Sequence, residues 1–367
     1  MNKENKIFML IVSIIFISAI GMIVYLKLNN NKVLGNQEPK KELNPTNGVE
    51  VVASLDDIIT SDSSWCGTFQ LVWNDMKNEL IKKDIVFNPN LDIVKNLNKE
   101  TFNDTMLSSD YYFKTYGLKT LALKKEIEEG IKNKFNQTSD ILDEISWDDE
   151  NTSLSKKYLF YTMLYREFAY NKEFEVLSND AFNGKGSIKY FGIGVNSTDE
   201  VREQIEVLFY KNKDNFAIKL NTKTNDEVIF YKNPTGNTFN EIYDNLVKNT
   251  NDYTGSKYFY DEDKFKAPMI DFNVKKEYEE LENKPFYDEL NNEYEIAKAL
   301  QTINFSLDEK GGKVKSEAII ENVDTSVAMD HVRVFNVDST FALFLKEKNR
   351  EKPYLALKVE DITKFQQ

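Results

Sequence analysis

From Ile7 to Leu26 the chain runs without a charged side chain. At about 1.5 Å per residue a helix of that length reaches roughly 30 Å, the hydrocarbon thickness of a bilayer. The pattern therefore predicts one transmembrane helix within residues 1–28. Lys3 and Lys6 precede it and Lys27 and Lys32 follow, so the basic residues bias its orientation only weakly toward an outer-facing remainder. The apolar run is longer than the core of a cleavable signal peptide, and no lipid-accepting cysteine follows it closely, which favours an uncleaved peptide anchor. Residues 29–51 are rich in Asn, Lys, Glu and Pro and read as a solvated linker. Residues 52–367 remain for one large domain.

Within that domain the periodicity changes along the chain. Trp65, Phe69, Val72, Met76 and Leu80 recur at helical spacing, and Ser63 and Ser64 are placed to cap a helix over 65–82. Leu123, Ile127, Ile131 and Phe135, separated by Lys and Glu, predict a second helix lying on the surface. From Lys157 onward β-branched and aromatic runs take over: Tyr158–Phe168, Ile188–Val195, Ile205–Tyr210, Phe216–Leu220 and Ile303–Leu307 read as strands. Phe239, Ile242, Tyr243 and Leu246 mark a short helix among them. Three further strands are expected at His331–Val337, Thr340–Lys346 and Pro353–Val359, the last two joined by the polar turn 348–352. Helices first and strands second is the order of an α+β domain.

Composition removes several function classes. A formal net charge of −13, with lysines interleaved among acidic residues, leaves no basic stripe for nucleic acid. One histidine, His331, excludes a histidine-rich metal site, while a carboxylate calcium site remains open. No motif calls for a cofactor. One cysteine, Cys66, precludes an internal disulfide. In Trp65-Cys66-Gly67 that thiol stands at the start of the expected helix, where the helix N-terminus would lower its pKa, and His331 is the imidazole available as a base. A Cys66/His331 hydrolase is thus one reading, against a plain core cysteine and a loop histidine; with no third orienting residue, a non-enzyme is expected. The carboxylates of Asp261-Glu262-Asp263 and Glu277-Tyr278-Glu279-Glu280 read as a solvated face. The aromatics Tyr253, Tyr258, Phe259 and Tyr260 fit either a binding platform or a loop packed on a sheet.

At the C-terminal end the residues resemble those of the serpins. Phe335-Asn336-Val337-Asp338-Ser339-Thr340-Phe341 is similar to the family's Phe-x-Ala-Asp-(His/Arg)-Pro-Phe signature, and keeps Phe335, Asp338 and Phe341. Tyr354-Leu355-Ala356-Leu357-Lys358-Val359 looks like the apolar strand that follows, without its glycine. Phe305-Ser306-Leu307-Asp308-Glu309-Lys310-Gly311 resembles the strand and hinge leading into the reactive loop. Tyr161-Thr162-Met163-Leu164-Tyr165, with Tyr170, Phe174 and Phe182, and Val207-Leu208-Phe209-Tyr210-Lys211-Asn212 agree in order with two further blocks. The resemblance covers roughly residues 131–362. It departs at Thr162, where serpins carry Asn, and at Tyr170, where they carry Trp. For the family's buried helix with a Ser-Pro start, Phe87-Asn88-Pro89 is the nearest counterpart. These departures fall in the region that governs opening of the main sheet.

The resemblance implies a serpin-like fold and an exposed reactive loop within 312–334 that inhibits serine or cysteine peptidases by inserting into a sheet after cleavage. Inserted residues must alternate, so the phase Gly312, Val314, Ser316, Ala318, Ile320 would face the core after a hinge at Glu309 and Gly311; the other reading of this stretch is a surface hairpin strand with ordinary alternation. Inhibitory members usually carry Thr at the position of Gly312. Family spacing sets the scissile region at Asp324, Thr325, Ser326 and Val327. The partner would be a target peptidase or, in a non-inhibitory binding module, a surface protein ligand; the expected location is the cell membrane, with the domain outside.

Overall fold

The structure, a computed structural model, describes residues 46–139, 141–147, 157–312 and 332–366, all within the unit Asn44–Gln367. The expected transmembrane helix and most of the linker lie outside these residues. Among the described residues no helix is long and apolar enough to cross a membrane.

The largest element is a seven-stranded sheet. Its order is β1 (Glu50–Val51), β2 (Ser63–Cys66), β19 (Leu355–Val359), β18 (Phe341–Glu347), β10 (Asp226–Lys232), β9 (Asn215–Asn221) and β8 (Ile205–Asn212). Glu50 and Val51, assigned to the linker by composition, are thus already in a strand. β10 is buried along its whole length and β18 at all but Lys346, as expected for strands covered on both faces. The C-terminal pair pairs antiparallel, as expected, from Phe341 opposite Val359 to Leu345 opposite Leu355. Ser63 and Ser64 do not cap a helix. They lie in β2, pairing with Lys358 and Leu357, because an extended backbone there completes the apolar β18–β19 layer.

The helix instead starts two residues after Cys66. This α1 (Thr68–Asp75) buries Thr68 through Asn74 and runs into a π-helical turn, Met76–Ile81, that ends at Lys82 with φ +62°. α1 is thus buried along all but its last residue. After α2 (Asp92–Asn98), the expected surface helix is α3 (Leu121–Phe135). The Thr120 hydroxyl accepts the Leu123 amide at its start, and Leu123, Ile127 and Ile131 are its buried face. A short α4 (Asp199–Glu203) precedes β8. α5 (Phe239–Asp252) is capped by Thr238 accepting from the Glu241 amide, while the Glu241 carboxylate accepts the Asn237 amide.

Three four-stranded sheets complete the architecture. One has the order β17 (Val334–Asn336), β11 (Lys264–Pro268), β7 (Lys185–Gly192), β6 (Glu175–Phe182). The second is β12 (Ile270–Glu277), β15 (Leu300–Leu307), β16 (Gly311–Gly312), β5 (Phe168–Ala169), and the third is β13 (Pro285–Tyr287), β14 (Glu293–Lys298), β4 (Lys157–Leu164), β3 (Tyr112–Leu118). The single strand expected at Tyr158–Phe168 is therefore two, β4 and β5, interrupted at Tyr165, Arg166 and Glu167. Likewise β14 and β15 are separated by Ala299 alone. The last two sheets are consequently halves of one surface whose inner strands run on from one half to the other. A continuous apolar core joins the seven-stranded sheet to the sheets of β11 and β12, while α1 packs on a second cluster with β13 and β14 and α3 on a third with β4.

Candidate functional site

The candidate site is where those two half-sheets meet. At one end β14 and β4 pair directly and in parallel, Glu295 with Lys157, Ile296 with Tyr158 and Lys298 with Leu159. At the other end β15 and β5 are separated by one strand, β16. Between these ends, among the described residues, Leu300–Ser306 of β15 pair only with β12, and Phe160–Leu164 of β4 pair only with β3. The two inner edges therefore form a wedge, closed at Lys298 and Leu159 and one strand wide at Leu307 and Phe168. Unpaired edges of this kind are a template for a further strand.

Of the residues expected as a hinge, Glu309, Gly311 and Gly312 are described, and they lie at the mouth of this wedge. After Leu307 the chain turns back through Asp308, whose carboxylate accepts the amides of Lys310 (2.8 Å) and Gly311 (3.3 Å) while its own amide donates to the Gly311 carbonyl at 3.0 Å. Gly312 pairs with Leu307 on one side and Phe168 on the other, and Gly311 with Ala169. The Tyr170 amide donates to the Lys310 carbonyl and the Phe174 amide to that of Glu309, both at 2.9 Å. Gly311 has φ +143°, and a Cβ on it would stand 2.3 Å from the Phe168 carbonyl oxygen. On Gly312 a Cβ would stand 2.4 Å from the tip of the Phe168 ring. The second hinge glycine is thus held by packing and the first also by backbone conformation. Burial pushes the Glu309 carboxyl above its usual range, with Asp308 and Glu173 adding to the rise and Lys310 opposing it.

Two buried polar groups flank the wedge. Near its closed end Gln301 of β15, 4% exposed, donates to the Cys66 carbonyl (3.0 Å) and to the Thr68 hydroxyl (3.2 Å), and accepts from the Tyr278 hydroxyl (2.9 Å). It ties β15 to the start of α1. Near the open end Arg166, in the break between β4 and β5, reaches into the core, its Nε 2.6 Å from Asp226 and its Nη1 on Glu347. Its guanidinium lies 3.7 Å from the Tyr111 ring centre, and Tyr354 donates to Asp226 at 2.8 Å. Neither group was singled out from sequence. Arg166 was visible as a lone cation in an apolar run; Gln301 carried no signal, since its role rests on a contact far away in the chain.

Val314, Ser316, Ala318, the scissile candidates Asp324, Thr325, Ser326 and Val327, and His331 lie outside the described residues. Cys66 does not sit at a helix N-terminus: it ends β2, is 5% exposed, and burial pushes its thiol up despite an opposing contribution from Thr68. Its thiol accepts from the Thr68 hydroxyl at 3.6 Å. That environment is the reverse of an activated nucleophile's. Of the acidic stretches, Asp263 is buried and paired to Arg333 at 2.5 Å, and Tyr278 is buried against Phe69 of α1. Among the aromatics Phe259 packs into the core while Tyr258 and Tyr260 are exposed, so loop packing and exposure are divided within that cluster.

No family model matches the chain, and no curated protein matches it. Among solved structures it is similar to human thyroxine-binding globulin complexed with its hormone, at 11% identity and TM-score 0.43, over 65% of this chain and 64% of that one. It is also similar to human glycosylated kallistatin (12%, TM-score 0.40, 76% of this chain and 71% of that). A third is Serpin48 of the insect Tenebrio molitor, described as a highly specific serpin (11%, TM-score 0.38, 64% and 63%). The chain thus spans just under two thirds of the length of two of these, and the solved structures to which it is similar are serpins.

Proposed function

We propose that this chain is a membrane-anchored, serpin-like inhibitor of serine or cysteine peptidases, whose loop between β16 and β17 inserts into the wedge between β4 and β15 when cleaved. The observation that carries the reading is β16, two residues of that loop's hinge lying as a strand between β15 and β5.

The register of β16 gives the reading a chemical check. An antiparallel strand continued from Gly312 would set Val314 between Phe305 and Arg166, Ser316 between Ile303 and Leu164, and Ala318 between Gln301 and Thr162. On β15 the odd positions Gln301, Ile303 and Leu307 are the buried ones, so directly opposed residues of the new strand face the core. That phase of the loop is small or apolar. The other phase, Lys315 and Glu317, would face the α3 side beside Tyr165 and Met163. The buried hydroxyl of Thr162 has no hydrogen-bond partner, and Ala318 beside it is small enough to leave that group undisturbed.

Insertion exchanges solvated loop for a buried ladder, so cleavage within 313–331 should raise the unfolding temperature. The experiment is a melt before and after clean cleavage. Val314→Arg should abolish the gain, because its charge would be buried only after insertion, and Lys315→Arg should leave it intact. Trapping of a peptidase is read separately, as an SDS-stable adduct after incubation with a peptidase panel. An unchanged melting temperature after cleavage rejects the inhibitor and leaves the second reading, a non-inhibitory surface binding module; the departure at Gly312 from the Thr of inhibitory members favours that second reading.

A further inference from the structure

Beyond β5 the chain reaches Asn171 and Lys172, which line a surface cavity of about 380 Å³ together with Glu200, Glu203 and Gln204 at α4 and Asn221 at the end of β9. Every lining residue is polar. Pockets for apolar molecules are lined mainly by aliphatic and aromatic side chains, so this cavity selects for polar ligands.

Gln204 makes its floor rigid. The residue is 3% exposed; its Oε1 accepts the Lys172 amide at 3.1 Å and its Nε2 donates to the Lys172 carbonyl at 2.8 Å. The Asn221 amide donates to the Gln204 carbonyl at 2.8 Å, and the Asn221 side-chain nitrogen donates to the same carbonyl at 3.4 Å. Three stretches distant in the chain are thus fixed around one residue. At the rim the charges do not balance. Glu200 and Glu203, three apart on α4, share a helix face. Lys172 pairs with Glu200 at 2.7 Å, whereas Glu203 has no ion-pair partner among the described residues. Neither the Asn171 side chain nor the Asn221 Oδ1 has a hydrogen-bond partner among them. The free groups are therefore a carboxylate and two amide oxygens, against the one amide nitrogen of Asn171.

We infer that this cavity is a binding site for a guanidinium group. Such a group is cationic and carries five donors and no acceptor. Two parallel hydrogen bonds pair its edge with the Glu203 carboxylate, and the remaining donors meet the Asn171 and Asn221 oxygens. An ammonium presents its donors from a single point and suits acceptors spread over three chain segments less well. An anion would meet an uncompensated carboxylate. Free arginine and an arginine side chain of a partner protein both carry the group. The inference goes beyond the inhibitor reading and does not depend on insertion of the loop.

Saturation-transfer NMR on the full-length chain in detergent reads binding from the ligand's own signals. Arginine should bind, lysine more weakly, and citrulline, which has arginine's shape without its charge, not at all. Nα-acetyl-arginine amide stands for a side chain within a protein: binding as tight as arginine's supports a partner protein as the source, and weaker binding supports the free amino acid. Glu203→Gln should weaken arginine binding about tenfold, the scale of one charge-assisted contact. Lys172→Met, which releases Glu200, should strengthen it several-fold. Glu279→Gln makes the same change of charge at an exposed position outside the cavity and should leave binding unaltered. Absence of arginine binding overturns the inference, as do equal binding of citrulline and equal weakening by Glu203→Gln and Glu279→Gln.

Discussion

Arg166 places a cation between two carboxylates whose side chains are each 1% exposed, its own being 3% exposed. Burial alone would lower its pKa, but Tyr354, Asp226 and Glu347 outweigh that and hold the guanidinium more firmly charged than usual. Replacing it with Met removes the charge and keeps the stem, leaving Asp226 and Glu347 facing each other in the core. Arg166→Met should therefore cost about 3–5 kcal/mol, read as a lower urea midpoint at unchanged slope. Adding Asp226→Asn and Glu347→Gln should recover most of that loss. Glu309 offers a test in pH. Its folded pKa is raised, so the stabilising protonated form is fully present below the unfolded value of about 4.5, and its contribution is lost as pH rises through the folded value. Glu309→Gln should accordingly melt higher than wild type at pH 7 and together with it at pH 4. Equal melting temperatures at both would mean that the burial of Glu309 has no consequence for the hinge.

Periodicity made α3, α5, β8, β9, β18 and β19 legible because each is decided locally, by an apolar face and a cap or a turn. It failed at Ser63–Cys66. There helical spacing from Trp65 to Leu80 ran through a residue pair that the β18–β19 layer pulls into extension, and the strand Leu355–Val359 that does so lies at the far end of the chain. It failed again at Tyr158–Phe168, where apolar residues continue on both sides of Arg166 and so do not mark the break. The expectation of a hinge at Glu309, Gly311 and Gly312 came from resemblance alone. The docking of these residues between β15 and β5 was not legible, since two glycines carry no pattern and the partner, Phe168, read as any core aromatic. Gln301 shows the same limit: its partners Cys66, Thr68 and Tyr278 are distant in the chain, so nothing beside it in the sequence points to them.

For the whole molecule the anchor expected at Ile7–Leu26 makes a claim about sidedness. A domain that meets secreted peptidases must face outward, so protease added to intact cells should remove it and leave a membrane-bound stub. Loss only after permeabilisation would assign the domain to the inner face.

The seven-stranded sheet has a consequence for the order in which the molecule can be made. Its inner strands β18 and β19 come from the end of the domain, yet they lie between β2 and β10, which leave the ribosome long before them. Until Phe341–Glu347 has been synthesised β10 lacks its partner along that edge, and until Leu355–Val359 has followed β2 lacks its own. Both edges are apolar and extended, the kind of surface that seeks another strand. Completion of this sheet therefore waits for Leu355–Val359, and nascent chains halted before Phe341 should be captured by holdase chaperones whatever the state of α1 and α3.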